Sequence, residues 1–175
     1  MNKKGVTVVE LLGAIIVFSL IISLSAVILS LISNANERIL MNTRATTKGN
    51  YLVTTLENNM QRFSPTNYSA CGTGNCVILE NHYVYEVDLV TEEINLVIYN
   101  PILTRTISIS NGQILIDSVA LDITYFTLHN TSTLTYSLTA GKLYVSILIV
   151  LEDARGKLYE FIASYQYTVS DVPIV

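Results

Sequence analysis

The hydrophobic rhythm of the chain changes twice. From Val6 to Ile32 nearly every residue is apolar or small, Glu10 is the only charge, and no charge follows between Leu11 and Asn36. A helix rises about 1.5 Å per residue, so roughly 20 apolar residues cross the hydrocarbon core of a bilayer. This run is long enough to span one. From Ser33 the chain turns polar yet keeps helical spacings through Ile39, Leu40, Leu52, Leu56, Met60 and Phe63. Ser64-Pro65-Thr66 closes the segment, because a residue before proline is biased away from the α region. The pattern predicts one helix from about Thr7 to Arg62, about 85 Å long if unbroken. Its outer half is expected to dock on a sheet, and Gly49, beside Thr46, Thr47 and Asn50, marks its weak point, where a bend or break is plausible.

From Val77 the period becomes two, and β-branched and aromatic residues dominate. The alternation predicts strands over 77–80, 83–90, 94–99, 105–110, 113–116, 121–128, 133–138, 142–151 and 158–169. Asn111-Gly112, Ala140-Gly141 and Asp153-Ala154-Arg155-Gly156 are the turn signals between them. The fold class is therefore α+β, a long N-terminal helix whose first half spans a membrane, followed by an antiparallel β-sheet.

Charge sharpens this picture. Only 14% of the 175 residues are charged, against about 25% in an ordinary soluble domain. Fourteen acids oppose ten bases, and setting aside Lys3 and Lys4 leaves eight bases and a balance of −6. Between Phe63 and Gly141 the single base, Arg105, faces seven acids. Phosphate backbones are bound by clustered Lys and Arg, so the body argues against nucleic acid as its main partner. Lys3 and Lys4 precede the apolar run, and the positive-inside rule then keeps the N-terminus cytoplasmic and places residues 33–175 outside. A secretory signal peptide cleaved near Ser23–Ala26 fits less well, since the apolar run continues through Val27, Ile28, Leu29, Leu31 and Ile32.

A plain anchor leaves Glu10 without a reason, because a carboxylate inside a membrane helix is costly and should have a partner. The stretch Lys3-Lys4-Gly5-Val6-Thr7-Val8-Val9-Glu10-Leu11-Leu12 resembles the class III signal of the type IV pilin superfamily. In that family a short basic leader ends in Gly, a prepilin peptidase cleaves after it, and Glu occupies the fifth position of the mature chain. The resemblance puts Gly5 last in the leader, Val6 at the new, methylated N-terminus, and Glu10 in assembly, pairing with the terminal amine of a neighbouring subunit. Opposite charges that are each costly in apolar surroundings become tolerable as a pair. Val6 stands where major pilins usually carry Phe, and Val27 where many carry a kinking Pro; such departures are common in minor pilins and pseudopilins. The order of Gln113 to Tyr125, a strand over Tyr144 to Leu151, and Gly156-Lys157-Leu158-Tyr159-Glu160 leading into a last strand is similar to the bodies of W-type minor pilins, J-type minor pseudopilins and a competence pseudopilin.

The resemblance implies a pilin-like division into a leader at 1–5, a transmembrane and filament-core helix at 6–32, an amphipathic continuation at 33–63 and an extracytoplasmic β domain at 64–175. It implies a structural subunit of a type IV pilus, a type II secretion system or a competence pseudopilus. The implied partners are the prepilin peptidase, other pilins, an assembly platform protein and its ATPase. Two rival readings are a DNA- or surface-binding pilus subunit and a plain single-pass anchored domain.

Other chemistry is sparse. Cys71 and Cys76 bracket Gly72-Thr73-Gly74-Asn75, a spacing that suits a disulfide outside the cytoplasm, with free thiols or a zinc site as alternatives. His82 and His129 are the only histidines, and no catalytic motif, metal site or cofactor is expected. Glu92-Glu93 and Glu152-Asp153 are expected to be solvated turn charges. The eleven tyrosines suit cross-strand packing better than a binding platform.

Overall fold

A computed structural model describes residues 7–63, 65–72, 74–90, 92 and 94–169. Among the described residues there is one helix, α1 (Val8–Gln61), followed by nine strands: β1 (Asn67–Ala70), β2 (Cys76–Val87), β3 (Ile94–Ser110), β4 (Gln113–Ile116), β5 (Val119–Ala120), β6 (Thr127–Leu128), β7 (Thr133–Thr139), β8 (Lys142–Glu152) and β9 (Leu158–Thr168). The fold is α+β, with a long apolar N-terminal helix and antiparallel sheets. Two compact units divide it, Met1–Arg44 and Ala45–Val175.

Within the first unit, the α1 side chains from Val8 to Ile32 are exposed although almost all are apolar. This part of the helix is long and apolar enough to cross a membrane. Ile39 and Leu40, expected to begin the amphipathic stretch, are exposed as well.

In the second unit, burial begins at Ala45 and continues at Gly49, Leu52, Leu56 and Met60, spacings of three and four that place all five on one stripe of α1. The helix does not break at its weak point, Gly49. Helical structure runs through it, and the glycine instead makes room for the ring of Phe161, whose atoms lie 2.2 Å from where a Cβ would be.

Two sheets flank this stripe. The first has the order β1-β2-β3-β4-β5, and the second centres on β8, which pairs with β7 and β6 and with β9. Alternate residues Leu143, Val145, Ile147, Ile149 and Leu151 of β8 are buried and join Val77, Leu79, Ile107 and Ile114 of the first sheet in the core. Three tight hairpin turns have positive φ at both central residues: Asn111-Gly112, Asp117-Ser118 and Ala140-Gly141. This backbone matches the right-handed twist of the flanking strands.

Several expected boundaries shift. The strands expected over 77–80 and 83–90 are one strand, β2, whose register shifts between Asn81 and Tyr83. Those over 94–99 and 105–110 are likewise one strand, β3, which carries Pro101. Most of 121–128 is turn rather than strand. Asp122 accepts the Thr124 N–H at 2.8 Å and the Thr124 hydroxyl, and Phe126 N–H bonds back to Ile123 O at 2.9 Å. Strand β1 was not expected.

Candidate functional site

The N-terminal signal residues begin the site, and Gly5 and Val6 lie outside the described residues. Glu10 is described. It stands at the third position of α1, where the first backbone N–H groups of a helix have no partner within the helix. Thr7 and Glu10 satisfy each other. Thr7 N–H donates to Glu10 Oε2 at 2.9 Å, the Thr7 hydroxyl donates to the same oxygen at 3.1 Å, and Glu10 N–H donates to Thr7 Oγ1 at 3.3 Å. This is a capping box, with Leu11 N–H bonding Thr7 O at 3.1 Å to start the ladder. The Thr-x-x-Glu spacing of 7–10 was legible in the sequence as a helix start; what made it easy to miss was the apolar setting.

The geometry has a chemical consequence. Glu10 Oε2 is held against the amide that joins Thr7 to Val6, one residue from the amine that cleavage after Gly5 would free. Among the described residues no cationic side chain pairs with Glu10. Around it Val8, Val9, Leu11 and Leu12 are all more than half exposed, so the carboxylate sits on an apolar cylinder rather than in a protein pocket.

The other candidate residues have structural surroundings. Cys71 and Cys76 are joined by a disulfide, with Cα atoms 5.5 Å apart. The bond closes the loop that presents Asn75, whose carbonyl accepts Ile109 N–H at 2.8 Å from β3 and whose Oδ1 accepts Leu134 N–H at 3.3 Å from β7. Asn75 thus touches both sheets. A depression of about 530 Å³ beside it is lined by Gly74, Asn75, Cys76, Ser108, Ile109 and Ser110. None of these lining residues is an acid or base able to activate either serine.

His82 Nε2 lies 3.0 Å from Glu80 Oε2, and Ser69 donates to Glu80 Oε1 at 2.7 Å. The Ser69 hydroxyl, with help from His82, lowers the Glu80 pKa. Among the described residues no group of three or more His, Cys, Asp and Glu could hold a metal ion.

Asp153 is not the solvated turn charge its position suggested. It is buried at the β8–β9 turn, where its carboxylate accepts Arg155 N–H at 2.9 Å, Lys157 N–H at 3.0 Å and the Tyr159 hydroxyl at 3.2 Å. The Lys157 amide is the largest cause of its lowered pKa. The tyrosines serve mainly as packing: Tyr68 meets Tyr136 edge-on at 5.8 Å, Tyr159 meets Phe126 at 6.0 Å, and the Tyr165 hydroxyl donates to Val53 O at 3.4 Å. Burial raises the pKa of both Tyr165 and Tyr167. Tyr125 and Tyr144 are exposed.

Compared with protein-family models, with curated proteins and with solved structures, the chain matches none.

Proposed function

We propose that this chain is a minor pilin or pseudopilin, a structural subunit that waits in the membrane and is then drawn into a helical filament. The observation that carries the reading is Glu10, a carboxylate fixed by its capping bonds to Thr7 at the start of an exposed apolar helix, five residues after a basic leader ending in Gly5. In an anchor that only had to hold a domain at a membrane the carboxylate would serve the helix cap alone, a task that the uncharged oxygen of Gln also performs, so the charge itself would have no use. A subunit that must register against a neighbour gains a charge for the neighbour's terminal amine. In this reading the helix exchanges lipid for other helices on assembly and the β domain faces outward. The partners are the prepilin peptidase, other pilins, the platform protein and the ATPase, and the protein has no enzymatic role.

Glu10→Gln separates the two roles of this residue, because Gln retains a capping oxygen but carries no charge. In the native host, Glu10→Gln is expected to be inserted and processed normally yet to fall about tenfold in the sheared filament fraction, a change of the size a charged pair in apolar surroundings can produce. Equal recovery of wild type and Glu10→Gln favours the plain single-pass anchor.

A further inference from the structure

The outward face of the second sheet holds a block without charge. Leu143, Val145 and Ile147 of β8 point inward and are buried, so Tyr144, Ser146 and Leu148 point away from the core. Strand register sets Ser137 and Gln166 on either side of Tyr144, Thr135 and Ser164 on either side of Ser146, and Thr133 and Ile162 on either side of Leu148. The three rows cross β7, β8 and β9 with no shift in register, and every side chain in them is exposed or half-buried. A soluble surface ordinarily carries Lys, Arg, Asp or Glu at about a quarter to a third of its positions. On these strands the charges are Lys142, Glu152 and Glu160, and all lie beyond the block, Lys142 in the row past Tyr144 and Glu160 in the row past Leu148.

Charge and hydrogen-bonding groups together decide what such a face can hold. With no Lys or Arg in the block it has nothing to pair with phosphates or an acidic peptide, and with no acid it has nothing for a basic one. A protein partner would want an apolar, aromatic-rich centre. Here the centre is polar. The row through Ser146 is all hydroxyl, with Ser146 Oγ and Ser164 Oγ 3.4 Å apart and the Thr135 hydroxyl donating to Ser146 O at 3.4 Å. Each hydroxyl can both donate and accept, as can the Gln166 amide. The apolar surface lies to either side of that row, in the Tyr144 ring, 41% exposed, and in Ile162, 66% exposed. Four residues of strand separate their rows, about 13 Å.

A ligand complementary to this pattern is uncharged, flat and extended, with C–H surface on its faces and hydroxyls at its rim. We propose that the outward face of β7, β8 and β9 binds a neutral β-linked polysaccharide lying along the strands. One sugar ring stacks on Tyr144, with its hydroxyls bonded by Ser137 and Gln166. The chain then crosses the hydroxyl row of Thr135, Ser146 and Ser164, and a further ring rests on Ile162.

The test uses the full-length protein in phosphatidylcholine nanodiscs, passed over insoluble cellulose, β-1,3-glucan and chitin. The expected result is retention on at least one of the three that changes little between low and high salt, because no ion pair holds the complex. Tyr144→Ala should lower that retention about tenfold, Tyr144→Phe should keep most of it, and Gln166→Ala should weaken it as well. Val119→Ala, at an exposed residue of the first sheet, should leave it unchanged. These side chains face solvent, so an unchanged Tm for each variant separates lost binding from lost folding. Retention on none of the three polysaccharides, equal retention of wild type and Tyr144→Ala, or retention that falls steeply with salt overturns the proposal. The inference stands apart from filament assembly, since a simple anchored domain would present the same face, and its failure leaves the role of Glu10 untouched.

Discussion

The ring of Phe161 on β9 occupies the place where a side chain on Gly49 of α1 would begin. This contact brings helix and second sheet close and explains a glycine in mid-helix that costs about 1 kcal/mol in propensity relative to alanine. Gly49→Ala regains that propensity but forces the ring out of its place, and overpacking of this kind costs about 1–3 kcal/mol. The expected net effect is destabilisation, with Tm lower by a few degrees. Phe161→Leu in the same chain should recover most of the loss, and a double-mutant cycle on thermal unfolding measures that coupling. Independent, additive effects of the two substitutions would contradict the contact.

Asp153 shapes the β8–β9 turn by accepting two backbone N–H groups and a tyrosine hydroxyl. Asp153→Ala leaves all three donors without it, whereas Asp153→Asn keeps one acceptor oxygen. Unfolding should therefore rank wild type above Asn above Ala, and Tyr159→Phe should cost less than either because it removes one bond only. Hydrogen exchange at the Arg155 and Lys157 amides should quicken in both Asp153 variants.

The disulfide holds Asn75 where it meets both sheets. For so short a loop the chain-entropy account gives a stabilisation of about 2 kcal/mol. Two thiols should become reactive to maleimide only after reduction. Cys71→Ser with Cys76→Ser should lower stability by about that amount, with faster exchange at the Ile109 and Leu134 amides. Retention of slow exchange at both amides would show that the loop holds its shape without the bond.

Acid should weaken the β domain. Glu80, Asp122 and Asp153 all have pKa values lowered by the fold, Glu80 chiefly by the Ser69 hydroxyl, Asp122 chiefly by Lys48 at 2.6 Å, and Asp153 chiefly by the Lys157 amide. A carboxylate whose folded pKa is depressed stabilises the fold fully above its unfolded value of about 4, and that contribution is lost as pH falls through the folded value. The Tm should be flat near neutrality and fall from about pH 5 downward. At the other extreme, Tyr165 and Tyr167 have raised pKa values because of burial. Their contribution is complete below the ordinary tyrosine value of about 10 and is lost as pH rises through the folded values. A pH series of thermal melts checks both limbs.

Most of the architecture was legible because it depends on period. The apolar run from Val6 and the spacing of Leu52, Leu56 and Met60 announce one helix, and the alternation along Leu143, Val145, Ile147, Ile149 and Leu151 announces a half-buried strand. Local polar residues misled where tertiary pairing overrode them. Asn81-His82 and Asn100-Pro101 look like strand breaks, yet β2 and β3 absorb them as an irregularity in register. Leu121 to Leu128 alternates like a strand, but Asp122 captures the Thr124 amide and turns the backbone. Gly49 and Asp153 each looked like weak local features, and only the packing of Phe161 and the amides after Asp153 reveal what they do. The Thr7–Glu10 cap was visible as a spacing. Its place beside Val6 gives that spacing a second meaning.

The N-terminus distinguishes a pilin from a simple anchor most directly. Intact mass and N-terminal sequencing of the protein purified from its native membrane should give a chain that begins at Val6 and carries one added methyl group. A chain that still begins at Met1 would contradict the pilin reading and leave a simple anchor, and one that begins near Ala26 would mean a secreted domain.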